Sequence, residues 1–172
     1  MVSHTRARQG SAPTTAVDPA ERARELALRI LTHAPRTSEE LRTRLRDRGC
    51  DEAVVEEVIV RFEDVGLLND AEIARTLVNA RHRERGYSRR RIRDELVRKG
   101  IPHEYVEDGL SQITDEEERE RAMELARDAW RKLASCEAEV RRRRVVGRLS
   151  RKGYSSSLVY SVVAKISSFE DS

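Results

Sequence analysis

Seven arginines stand within thirteen residues, Arg81, Arg83, Arg85, Arg89, Arg90, Arg91 and Arg93, and their type sets the first chemistry to look for. A guanidinium keeps its charge and presents a planar fork of donors that matches phosphate or carboxylate. A second run, Arg141, Arg142, Arg143 and Arg144 followed by Arg148 and Lys152, repeats the theme. Residues 81–100 hold nine bases against three acids, and residues 141–152 hold seven bases and no acid. Residues 51–72 reverse the sign, with eight acids and the single base Arg61. Formal net charge is only +3, so any attraction for an acidic partner must be local. Patches this concentrated bind phosphates readily. Asn and Gln are scarce within them, which argues against base reading in duplex DNA. The competing account is a solvated helix face, laced by pairs such as Glu95 with Lys99 that contribute roughly a few tenths of a kcal/mol.

Other chemistries lack their residues. The eight glycines form no phosphate-cradling loop of a familiar type. His4, His33, His82 and His103 stand far apart and share no ligand spacing with Cys50 or Cys136. The carboxylates lie on helix faces beside arginines, where ion pairing is their ordinary use. Neither catalysis, a metal nor a cofactor is expected. Two isolated thiols suit a reducing cytoplasm. The polar stretch 1–17 has no apolar signal core, and no run approaches the ~20 apolar residues of a membrane span.

What must position the arginines is helical. Charged residues make up 38% and aromatics 4%, so the core has to be thin and aliphatic. Asp18-Pro19 marks one helix start, and Thr37, Asn69 and Thr114 each precede a Glu by three, the spacing of a capping box. The stretch 88–101, SRRRIRDELVRKGI, has relatives in the same chain. Residues 41–59, 92–110 and 145–163 align on Gly49, Gly100 and Gly153, at offsets of 51 and 53. Leu45, Leu96 and Leu149 stand four before the glycine; Leu41, Ile92 and Val145 stand eight before. A base, Arg48, Lys99 or Lys152, immediately precedes it and faces the negative end of its own helix. The glycine is read as a positive-φ helix stop. A longer helix precedes each pair, with Leu26-Ala27, Ile73-Ala74 and Leu125-Ala126 in register.

The expected fold is therefore all-α, a tandem array of three three-helix repeats forming an elongated, curved body. Its parts are a disordered N-terminal tail at 1–17, repeats at 18–68, 69–113 and 114–168, and a C-terminal tail at 169–172. Trp130, Phe62, Tyr105, Tyr154 and Tyr160 fall at core spacing or directly after a glycine and are expected to pack. Tyr87, between Gly86 and Ser88, is expected to be exposed.

With these residues in view, the chain resembles the bacterial RecX family of RecA modulators. The strongest match is 66–101, in Asp70, Ala74, Arg81, Ile92, Glu95, Leu96, Lys99, Gly100 and Ile101. Ile73 and Leu77 stand where the family commonly carries aromatics, which is expected to alter packing rather than role. The resemblance covers about 22–168. It implies a non-enzymatic, cytoplasmic regulator of DNA repair and the SOS response that binds RecA and RecA–DNA filaments. Such a regulator lies in the filament groove and impedes filament growth, ATP hydrolysis, strand exchange and co-protease activity. Single- or double-stranded DNA is a further partner, and nothing requires a dimer. The contact residues are expected to be the thirteen bases named at the outset. Two rivals remain: a RecA-independent DNA-binding helical protein, and a plain helical scaffold for another acidic partner.

Overall fold

Several helices begin where a side chain takes up amides that the first turn leaves unpaired. The Asp18 carboxylate accepts from the Ala20 amide at 3.3 Å. Thr37 and Thr114 close capping boxes with Glu40 and Glu117. The Asn69 side chain accepts from the Glu72 amide at 2.9 Å, and the Ser88 hydroxyl from the Arg91 amide at 3.2 Å. A computed structural model describes residues 18–168, and the tails expected at 1–17 and 169–172 lie outside the described residues. The described chain is all-α. Its helices are α1 (Pro19–His33), α2 (Ser38–Arg46), α3 (Glu52–Asp64), α4 (Asp70–Arg83), α5 (Arg89–Arg98), α6 (His103–Ser111), α7 (Asp115–Lys132), α8 (Ala138–Arg151) and α9 (Ser156–Ser168).

These helices pack extensively only in consecutive threes, and each three has its own core. The columns found in the sequence are those cores. Leu41, Ile92 and Val145 are fully buried, as are Leu45, Leu96 and Leu149 one turn later. Ala27, Ala74 and Ala126 are also fully buried, where a small side chain lets the long first helix lie close to its partners. Phe62, Ile113 and Ile166 close the far end of each third helix. Gly49, Gly100 and Gly153 have φ of 78°, 71° and 90°, the left-handed stop their position requires. Three small cores that do not merge make an array rather than one rounded domain. How the units are joined therefore decides the shape.

The joint is a helix end set on a helix start, and it occurs twice. At the first junction the Thr37 hydroxyl, at the N-terminus of α2, donates to the Lys99 carbonyl at the C-terminus of α5 (2.8 Å). The Ser38 amide donates to the Asp70 carboxylate of α4 (2.9 Å). At the second, the Ser88 amide donates to the Lys152 carbonyl at the C-terminus of α8 (3.0 Å), and the Arg89 amide to the Glu118 carboxylate of α7 (2.8 Å). An acid of the next repeat's first helix thus caps each start, and the partial charges of two helix ends oppose each other. The second junction needs its acid: the first turn of α5 carries arginines and no acid of its own, against the positive end of the helix.

Gly100 and Gly153 serve the junctions twice over. A Cβ on Gly100 would lie 2.5 Å from Glu39 Cβ, and one on Gly153 2.6 Å from Ser88 Oγ and 2.7 Å from Arg91 Cβ. A Cβ on Gly49 would meet nothing within 4 Å. Gly49→Ala is therefore expected to cost about 1 kcal/mol, the left-handed strain alone. Gly100→Ala should cost about 2–3 kcal/mol, because α2 must also be pushed away. Urea unfolding of the two variants side by side checks the order. Equal losses would show that the close approach at Gly100 contributes nothing to stability.

Candidate functional site

The arginines of the middle repeat divide into those already bound within the fold and those that are not. Arg81 forks onto Glu95 with bonds of 2.9 and 2.7 Å, tying α4 to α5. Arg93 forks onto Glu107 at 2.9 Å, tying α5 to α6. Arg89 reaches Glu118 at 3.0 Å and also Asp115 and the Ile113 carbonyl, across the second junction. These three are struts. Arg83, Arg85 and Arg90 are exposed, and among the described residues their side chains make neither an ion pair nor a hydrogen bond. Arg91 hydrogen-bonds the Arg151 carbonyl and lies 4.1 Å from the centre of the Tyr87 ring.

The last block divides in the same way. Arg141 is buried: its Nε donates to the Trp130 carbonyl at 2.8 Å and its guanidinium lies 4.3 Å from the Trp130 ring centre, holding α8 to α7. Arg142 pairs loosely with Glu139 (3.5 Å), and Arg144 contacts the Cys136 sulfur at 3.4 Å. Arg143 is exposed with no partner among the described residues. Arg148 and Lys152 turn toward the second junction. Lys152 donates to the Arg85 carbonyl and stands 5.2 Å from the Tyr87 ring centre. Burial pushes its ammonium below the usual lysine range, and Arg148, Arg91, Arg121 and Arg85 add to the shift by repulsion.

The structure so gathers Arg81, Arg85, Arg91, Arg148 and Lys152 at one seam, between repeats two and three. A cleft of about 230 Å³ opens beside it on repeat two, lined by Arg81, Arg85, Tyr87, Arg91, Glu95 and Arg98. Glu95 is its one acid, and Arg81 already occupies it. A second cleft, about 590 Å³, holds Arg89, Arg90 and Arg93 over Leu110 and Leu158, with Glu107 and Glu118 answering two of the three. A third, about 680 Å³ between α1 and α4, is lined by leucines 28, 31, 67 and 77 without histidine or cysteine. Among the described residues no His, Cys, Asp and Glu cluster could hold a metal ion, and no helix is long and apolar enough to cross a membrane.

Some residues read differently in space. Glu95 pairs with Arg81, and Lys99 with Glu40 at 2.7 Å, rather than with each other. Tyr87 is half-buried under two cations rather than exposed. Tyr105 and Tyr160, expected to pack, are 36% and 64% exposed. Arg98 and Arg121 were not among the expected contacts, yet Arg121 reaches the seam and Arg98 lines the cleft beside it. The aligned columns held a signal for the seam: nine before the glycine stand Glu40 and Arg91, an acid exchanged for a base.

Comparison with known proteins agrees with this architecture. Family profiles for the first, second and third three-helix domains of RecX match residues 23–62, 69–110 and 115–163. The chain is 40% identical over 161 residues to the Regulatory protein RecX of Streptomyces coelicolor, covering 94% of this chain and 84% of that one. It is 39% identical over 142 residues to that of Thermobifida fusca, covering 83% and 77%. In fold it is similar to the crystal structure of RecX from Lactobacillus salivarius, with a TM-score of 0.76 at 23% identity over 87% of this chain and 97% of that one.

The Arg81 fork holds the Glu95 carboxyl below the usual glutamate range. A depressed folded value means stability that is present above the unfolded pKa and lost as pH falls through the folded one. Glu95→Gln is expected to cost about 1 kcal/mol at neutral pH and almost nothing at a pH low enough to protonate the folded carboxyl. Urea unfolding of both proteins across that pH range reads the difference, and a gap independent of pH would assign the loss to packing instead.

Proposed function

The chain belongs to the RecX family, and from that premise we propose that it binds the RecA recombinase and RecA–DNA filaments and restrains RecA's ATPase, strand-exchange and co-protease activities. In this reading it acts in the cytoplasm as a monomer, in DNA repair and the SOS response. The observation that supports it is the array itself. Three units with separate cores, joined end on by a repeated junction, present a long surface that can touch successive subunits of a polymer. A single small unit could reach only one.

The proposed contacts are the basic side chains that the fold leaves available. Arg83, Arg85 and Arg90 in the middle repeat and Arg142, Arg143, Arg144 and Arg148 in the last face outward or toward the seam. Arg81, Arg89, Arg93 and Arg141 act in this scheme by holding the helices that carry them. The acidic α3, whose Glu57 and Asp64 are exposed and form no ion pair among the described residues, offers the opposite sign to basic protein surfaces.

The rival reading, a helical DNA-binding protein that acts without RecA, is favoured by the same seam of cations. One experiment separates the two: RecA's DNA-dependent ATPase, measured with the protein added well below the RecA concentration. Inhibition is expected, and the double variant Arg90→Glu, Arg143→Glu should weaken it about tenfold with helicity unchanged by circular dichroism. No inhibition by the natural protein, together with tight and salt-sensitive duplex binding, would establish the rival instead.

A further inference from the structure

The two junctions share a backbone plan and differ in charge. At the first, Lys99 reaches back across the joint and forms an ion pair with Glu40 at 2.7 Å. At the second, Lys152 occupies the place of Lys99 and Arg91 the place of Glu40. The pair that neutralises one joint is replaced at the other by two cations against one tyrosine ring, 4.1 and 5.2 Å from its centre. Their charges are not answered elsewhere. Arg91 donates to the Arg151 carbonyl and Lys152 to the Arg85 carbonyl, and among the described residues neither meets a carboxylate. Arg85, Arg98 and Arg148 stand around them and form no ion pair among the described residues, and Glu95, the one acid of the cleft, is forked by Arg81. Cations brought together at an ordered joint repel each other, and a bound anion removes that repulsion.

We infer that the seam between the second and third repeats is a built site for the phosphate groups of a nucleic-acid strand, with Arg85, Arg91, Arg98, Arg148 and Lys152 as its cations. The lining selects phosphate over an acidic peptide. Apart from the Tyr87 ring it is all charged side chains, so a peptide finds no apolar pocket in which to anchor. The ring is engaged by Arg91 and Lys152, so a base could stack on it only by displacing a cation. Binding is therefore through the backbone, indifferent to sequence and steeply dependent on salt. Burial first, and then the surrounding like charges, depress the Lys152 ammonium, and a bound phosphate would offset the second of these. The site names a ligand chemistry for Arg85, Arg91, Arg148 and Lys152, already expected as contacts, adds Arg98 to them, and rests on that reading only for its place in RecA control.

The test uses the full chain without RecA. Arg91→Glu copies the charge pattern of the first junction and offers Lys152 the partner that Lys99 already has. It is expected to keep or raise the melting temperature at low salt. It should lower affinity for single-stranded oligonucleotides of unrelated sequence at least tenfold, with a salt slope shallower by roughly 0.7 for each phosphate no longer neutralised. Undiminished affinity overturns the site. If the variant melts much lower, the double variant Arg98→Ala, Arg148→Ala carries the test, since neither side chain has a hydrogen bond or ion pair to lose among the described residues. The same tenfold loss with unchanged melting supports the site, and unchanged affinity overturns it. Inorganic phosphate that matches the oligonucleotide at equal phosphate concentration would reduce the site to one for isolated anions. Competition by poly-glutamate at equal charge would overturn the preference for nucleic acid. Failure of the natural protein to inhibit RecA's ATPase would end the RecA reading and leave this binding standing.

Discussion

The carbonyl at the end of one short helix, held against the start of another, is the constraint on which this molecule depends. The three hydrophobic cores do not merge, so burial stabilises each repeat but leaves their relative placement to the joints. Each joint is a handful of polar contacts: a Lys carbonyl on a Thr37 or Ser88 donor, and an acid on the first helical amide. Opposed helix ends make the arrangement directional, because only a C-terminus suits an N-terminus. A three-helix unit of this size would be marginal alone. The same contacts that set geometry also keep polar groups at the exposed ends of each unit satisfied.

Using arginine for this purpose has a consequence for how the basic stretches should be understood. Arg42 with Glu56 and Arg93 with Glu107 are one construction repeated, an α2–α3 or α5–α6 strut at 2.7 and 2.9 Å. In the last repeat the corresponding positions hold Val146 and Tyr160, and the tyrosine is 64% exposed. Density of arginine in the sequence is therefore a poor measure of density of available charge. What distinguishes an available cation is the absence of its repeat-mate's acid, as at Arg91, where the first repeat has Glu40.

The fold was legible because its signals are local. Caps at Thr37, Asn69 and Thr114, leucines four before a glycine, and the glycine itself are all read within one helix and its turn. The site was less so. Arg81 with Glu95, and Arg93 with Glu107, are 14 residues apart and on different helices, beyond any rule for neighbours on one helix face. The partner of Lys99 is 59 residues away, and Lys152 meets a carbonyl 67 away. A base before a helix-ending glycine has a sufficient local explanation in its own helix dipole, which hides its second partner. Tyr160 was misplaced for a related reason: its spacing suits a core, but its column holds glutamates in the other two repeats.

The glycine column shows how a repeat can keep a residue for one purpose and recruit it for another. Gly49, Gly100 and Gly153 all need a left-handed stop, and Gly49 needs nothing more, since its surroundings are open. Only at Gly100 and Gly153 does the missing side chain also admit a neighbouring helix start. The stop is thus the primary demand, and the joint exploits a surface that the stop had already cleared of a Cβ. Once the backbone plan is secured in that way, the side chains around it can change sign without changing the fold. Glu40 and Arg91 occupy equivalent places in joints of the same geometry, one closing an ion pair and the other lying over the Tyr87 ring without a carboxylate partner among the described residues.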